Sequence, residues 1–217
     1  MKSLELGFVA LGLCAYTAPA RASVWEIDSV HSSTEFAVKH MMVSTVKGRF
    51  DKITGTINLD DKNPTKSMVE LTIDANTIDT HEAKRDGHLK SPDFFDTAKF
   101  PTITFKSTKI EKAGKAKFKV TGDLTMHGVT KRITVPVQVL GTMPFRGGQK
   151  AGFSTSFSLD RKDYGITWNK ALDQGGTLLG DEVQIEIQLE TGWEPPKPGE
   201  GAPAAMPKPS AAPTPHG

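Results

Sequence analysis

The chain has 217 residues, 24% charged and 37% apolar, with 27 Lys+Arg against 25 Asp+Glu and one cysteine. That length allows one domain with a substantial core, and a lone cysteine excludes a disulfide framework. Near-neutrality argues against nucleic acid or an acidic membrane surface as the partner, because both select for an excess of cations.

Residues 1–22 read as a secretory signal. Lys2 stands near the start, an apolar run extends from Leu6 to Tyr16, and the small-residue site Ala20-Arg21-Ala22 would leave Ser23 as the new terminus. The run falls short of the roughly 20 residues that span a bilayer and no later run is longer, so no transmembrane segment is expected. The expected location is the periplasm or the exterior. Cys14 lies in the segment to be removed. As a lipid-acceptor cysteine it would follow bulky Leu13, where such sites carry a small residue.

From Ser23 onward the pattern is alternation. Phe36/Val38, Ile53/Ile57/Leu59 and Val69/Leu71/Ile73 each share one face of an extended segment, with polar residues between them. Residues 78–105 break the pattern. Asp79, three residues before Glu82, predicts an N-cap and a helix from about Thr80 to Lys90, and Ser91-Pro92 predicts a second, very short helix through Phe94 and Phe95. A lone helical segment with clustered aromatics in a strand-rich chain reads as a lid. Alternation then resumes in Ile103/Phe105, Phe118/Val120/Leu124/Met126, Ile133/Val135/Val137/Val139, Ala151/Phe153/Phe157/Leu159 and Val183/Ile185/Ile187/Leu189. Turns are expected at His127-Gly128, at Lys112 to Lys115, and at Gly147-Gly148 after a break at Pro144. The stretch 193–217, rich in Pro and Ala, predicts a disordered tail.

About eight strands without helical crossovers imply an antiparallel sheet, and one helix cannot cover its dry face. Closing the sheet into a single barrel buries that face and removes the edges. The class is therefore all-β. Such a barrel is either filled or just wide enough for one small ligand, and Gly55, Gly122, Ser107 and Thr155 on the dry parity suggest room inside.

Val30-His31-Ser32 with Phe36-Ala37-Val38-Lys39-His40, Gly48-Arg49-Phe50, Arg85-Asp86 with His88-Leu89-Lys90-Ser91, Lys99-Phe100-Pro101, Gly122-Asp123-Leu124-Thr125 with His127-Gly128-Val129, and Asp163-Tyr164-Gly165-Ile166 together resemble the YceI family of secreted bacterial proteins. The match covers Val24 to Glu190, in order. The resemblance implies a lipocalin-like barrel whose elongated apolar cavity binds polyisoprenoid or other amphiphilic lipids, often as a homodimer. No cofactor is implied beyond the lipid, a polyisoprenoid or an isoprenoid quinone.

For the cavity wall, dry parity selects Phe36, Val38, His40, Phe50, Leu71, Ile73, Phe105, Phe153 and Phe157. For the mouth, the lid reading selects Leu89, Phe94, Phe95, Trp168 and Leu172. Arg85 and His88, three apart on one helix face, are candidates for a polar head group, the alternative being surface pairing with Asp86, Asp93 or Asp96. Neither a catalytic residue nor a metal site is expected. His81-Glu82 lacks a second histidine at zinc-protease spacing, and Gly152-Phe153-Ser154 lacks the second glycine of a nucleophile elbow. The competing classes are a filled-barrel interaction protein and, behind it, a metal-dependent enzyme.

Overall fold

The computed structural model describes residues 23–60, 62–173 and 175–195. The expected signal and nearly all of the expected tail lie outside the described residues. Within them the chain forms β1 (Ser23–Ile27), β2 (Ser33–His40), β3 (Ser44–Phe50), β4 (Ile53–Leu59), β5 (Met68–Asp74), β6 (Ile78–Asp79), α1 (Ala83–Lys90), β7 (Thr102–Gly114), β8 (Lys117–Met126), β9 (Val129–Phe145), β10 (Gly148–Asp160) and β11 (Leu179–Trp193). Every strand pairing is antiparallel.

These strands make eight courses around a closed barrel, because three courses are interrupted. β1 continues as β2, β3 as β4, and β5 as β6. The ring closes at β11, whose far half pairs with β1 (Thr191 with Ile27) and whose near half pairs with β2 (Gln188 with Ser33 to Leu179 with His40). At the break between β1 and β2, Asp28 accepts from the Val30 N–H and Lys150 Nζ lies 2.9 Å from Asp28 and 3.0 Å from Glu190. One cation thus ties β1, β10 and β11 together. Its neighbours His31 and Lys150 hold the Asp28 carboxyl far below the usual carboxylate range, while Asp28 raises both the His31 and the Lys150 pKa.

The two ends of the barrel differ. At the end where β7 begins and β8 finishes, α1 and the connection between β10 and β11 cover the interior with the main core cluster, including Phe50, Ile78, Phe94, Met126, Tyr164 and Ile166. Arg161, 5% exposed, fastens this cover. Its guanidinium donates to the carbonyls of Ile166 (2.8 Å), Trp168 (2.8 Å) and Gly180 (3.0 Å) and pairs with Asp181. At the other end, where Ser23, Leu59 and Trp193 lie, no α-helix caps the strands among the described residues; the loop between β4 and β5, with its 3₁₀ turn Pro64–Lys66, lies beside the opening.

Local expectations fare unevenly. The turn at His127-Gly128 is present with φ of 52° and 75°, and His127 Nδ1 donates to the Tyr164 carbonyl at 3.0 Å. The helix starts later than expected, because Glu82 is itself the N-cap, accepting from Lys84 N and Arg85 N, while Asp79 turns to the His81 N–H. The second short helix is absent: Pro92 to Phe95 is turn. Pro144 does not break its strand, since it opposes Gln149 in the ladder and the turn falls at Arg146-Gly147. Trp193, expected in the tail, ends β11 and packs on Trp25 with centroids 6.5 Å apart.

Lys150→Met should cost about 1–2 kcal/mol at neutral pH by leaving two carboxylates facing each other. Because the Asp28 pKa is depressed, its contribution is fully present above the unfolded value of about 3.9 and fades as pH falls toward the folded value. Denaturant curves of both proteins should therefore converge in acid.

Candidate functional site

Alternate residues of the barrel strands point inward and enclose a cavity of about 300 Å³, partly open to solvent. β5 contributes Val69, Leu71 and Ile73; β7 contributes Ile103, Phe105 and Ile110; β8 contributes Phe118, Val120 and Leu124. β9 adds Ile133, Val135, Val137 and Val139; β10 adds Ala151, Phe153 and Phe157; β11 adds Ile187 and Leu189. Trp25, Ile57 and Leu59 complete the wall, and Asp60, Pro64 and Ser67 bring it to the uncapped end. The spacing of two follows from the pleat. This interior is not a filled core.

One stretch of wall lacks a ladder. β9 pairs with β8 as far as Gln138 and with β10 from Gln138 onward, so residues 129–137 and 155–160 face each other without strand pairing. Ile133, Val135, Thr155 and Phe157 of the cavity wall come from this seam. Thr155 Oγ1 is buried there without a hydrogen-bond partner among the described residues.

Of the small residues expected to leave room, only Thr155 lines the cavity. A Cβ on Gly122 would stand 2.4 Å from Phe105 Cζ, so the Phe105 ring already occupies that space, and a Cβ on Gly55 would stand 2.1 Å from the Glu70 carbonyl oxygen. Ser107 Oγ accepts from the Val69 N–H at 2.8 Å. These three serve close approach of neighbouring groups.

Of the residues selected for the wall, Leu71, Ile73, Phe105, Phe153 and Phe157 line the cavity, whereas Phe36, Val38, His40 and Phe50 do not. Phe36 packs on Phe50 at 5.7 Å and Phe50 on the edge of Phe95 at 5.6 Å, inside the covered end. Val38 opposes Val46, and His40 opposes Ser44, still closer to that end. Parity places a side chain inside or outside but says nothing of its height along the barrel. Parity alone therefore does not separate these four from the cavity wall.

The mouth residues require the larger correction. Leu89, Phe94, Phe95, Trp168 and Leu172 are absent from the cavity wall. Phe94, Trp168 and His88 form an aromatic triad with centroid separations of 4.9–5.2 Å, and Leu89, Phe95 and Trp168 pack on the main core. Leu172 lies in the loop before β11, its N–H bonded to the Gly176 carbonyl. The helical segment is a stopper. The cavity reaches the opposite end.

Arg85 and His88 do not converge on a ligand. Arg85 donates to Thr80 Oγ1 and the Thr80 carbonyl, both at 2.8 Å, and Asp86 accepts from the Thr80 N–H. His88 Nε2 stands 2.9 Å from Asp93, one of the partners foreseen for it. The remaining histidines are dispersed. His81 faces Asp79, and the grouping of Asp28, His31 and Glu190 holds Lys150 at its centre.

The wall residues missed from sequence are mostly aliphatic: Ile57, Val69, Ile103, Val120, Val135, Val137 and Ile187, together with Trp25. Except for Trp25, they share the dry parity of their strands in the sequence, a signal that carries no information on height along the barrel.

The barrel and its cavity agree with the comparisons. The YceI-like domain model matches residues 25–191. The chain belongs to the YceI family. A UPF0312 protein of Pseudomonas paraeruginosa is 42% identical over 195 residues, covering 88% of this chain and 98% of that one. Among solved structures, BcnA of Burkholderia cenocepacia aligns with a TM-score of 0.65 at 27% identity, over 76% of this chain and 98% of its own. A polyisoprenoid binding domain from Saccharophagus degradans, implicated in plant cell wall breakdown, shares the fold with a TM-score of 0.60 at 16% identity, over 80% of this chain and 99% of its own.

Gly122→Ala tests how tightly this YceI barrel is packed around Phe105. The added methyl meets a ring and the Lys106 carbonyl oxygen, so denaturant unfolding should show a loss of about 1–3 kcal/mol.

Proposed function

We propose that this protein binds a polyisoprenoid or another amphiphilic lipid, an isoprenoid quinone being one candidate, in its barrel cavity, and carries or stores it in the cell envelope without catalysis. The observation that carries this reading is the wall itself. Aliphatic and aromatic side chains from every barrel course surround an unfilled space, with few polar groups among them. The polyisoprenoid binding domain of the same fold supports it.

Each buried methylene contributes roughly 0.8 kcal/mol, so one five-carbon unit offers about 3–4 kcal/mol before costs. A few units reach micromolar affinity, about 8 kcal/mol, after the loss of free motion is subtracted. The cavity's volume is at the low end of small-molecule sites, about 300–1,000 Å³. It therefore takes up a short stretch of chain and leaves the rest of a longer lipid, with its head group, toward the uncapped end. The unpartnered Thr155 hydroxyl offers one internal polar contact to a quinone oxygen or similar group.

Native mass spectrometry of protein purified from its own envelope, followed by solvent extraction, should find a stoichiometric polyprenyl or quinone adduct. Bare protein that also refuses added lipid would overturn the reading. Phe153→Trp, which extends a ring into the cavity, should displace lipid at a stability cost below about 1 kcal/mol. Trp168→Ala, in the stopper, should cost about 2 kcal/mol and leave the lipid in place. A Phe153→Trp protein that is strongly destabilised yet keeps its lipid would count equally against it.

A further inference from the structure

The tip of the β9–β10 hairpin is apolar on both faces. Its inner face supplies Val139, Thr142, Ala151 and Phe153 to the cavity wall. On the outside, Leu140 is 56%, Met143 59% and Phe145 45% exposed. Pairing with β8 ends at Gln138, so residues 140–145 have β10 on one edge and, among the described residues, no strand on the other. A strand with one wet face carries polar residues there, as β8 does with Lys117, Lys119 and Thr121. An apolar patch standing free of that rule marks an interaction surface.

Charge around the tip indicates the partner. The turns and loop at this end carry Lys62, Lys66, Lys115 and Arg146, with Lys112 near the end of β7 and Lys117 opening β8, against Asp60, Glu111 and Glu194 among the described residues and Asp61 in the sequence. At the stoppered end, Arg49 pairs with Asp79, Lys131 with Asp163 and Lys162 with Asp181. The near-neutral sum of the whole chain conceals a basic end. Arg146 lies 5.0 Å and Lys150 5.8 Å from the centre of the Phe145 ring. Lys150 is held by Asp28 and Glu190, so Arg146 is the cation at the ring that suits a boundary with acyl chains on one side and phosphates on the other.

We propose that this tip docks the barrel onto a bilayer surface bearing anionic head groups, Met143 and Phe145 entering the interface while the surrounding lysines and Arg146 face phosphates. The inference rests on the lipid-binding reading for its purpose, since docking here sets the uncapped end of the cavity against a lipid source. A second copy of the chain fits the tip less well. Pro144 has no N–H to offer along the open edge, and two basic ends would repel.

Flotation of the full chain with vesicles of phosphatidylethanolamine and phosphatidylglycerol, and with vesicles of phosphatidylcholine alone, tests it. Binding should favour the anionic vesicles and weaken with salt. A variant combining Met143→Ser and Phe145→Ser should bind at least about tenfold more weakly, and Arg146→Glu should also bind more weakly, with unchanged circular dichroism and unchanged cargo in native mass spectrometry. No binding, equal binding to both vesicle types, or equal binding by the variants would overturn docking. So would a dimer seen by analytical ultracentrifugation that the double variant abolishes, which would assign the tip to a second copy. Loaded protein that ignores vesicles sinks docking alone, and empty protein that floats with them sinks the carrier reading alone.

Discussion

β11 hydrogen-bonds to β10 through twelve successive residue pairs and, on its other edge, to two strands in turn, β2 and then β1. Through that divided edge the sheet meets itself. Without it the chain would expose an apolar face on a long twisted sheet, with two unprotected edges, and no element among those described is large enough to cover them. Closure turns the dry face inward and makes an inside. Everything else about the molecule is a question of what fills that inside at each height. The salt-bridged Lys150, which reaches β1 from β10 past Glu190, sits where this closure changes partner.

The heights are filled unequally. Toward α1, large rings meet each other: Phe36 on Phe50, Phe50 on Phe95, and Phe94 on Trp168, with Arg161 holding the loop that carries Trp168 against β11. There the rings close the end by packing on one another and on the helical segment. Toward the other end, the inward positions are mostly Val, Ile and Leu, whose shorter side chains stop short of the axis. The cavity is what remains between them. A site built in this way selects for length and apolarity and reads chemical detail poorly, because burial of apolar surface has no direction.

The same asymmetry divides the charges. Ion pairs crowd the stoppered end, where α1 and the connecting loops bring acids and bases together, while the turns at the other end are mainly lysine-bearing. A chain-wide sum of charge cannot register that arrangement, since it carries no information on where each charge sits. The cavity end, the basic turns and the apolar hairpin tip thus coincide on one side of the molecule.

By itself the sequence determined the class, the course of the strands and the inward or outward direction of most side chains, because the pleat alternates with a period of two whatever the strand is paired with. It also located the tight turn at His127-Gly128, where φ is positive at both residues. Tertiary structure alone decided height. Phe36 and Phe105 have the same parity and similar chemistry, yet one is locked in the stopper and the other lines the cavity, since register around a tilted barrel sets which residues share a level. It decided likewise that α1 closes the barrel, and that Gly122 is small to admit the Phe105 ring and not a ligand. Such outcomes depend on contacts between residues far apart in the chain, which no local pattern contains.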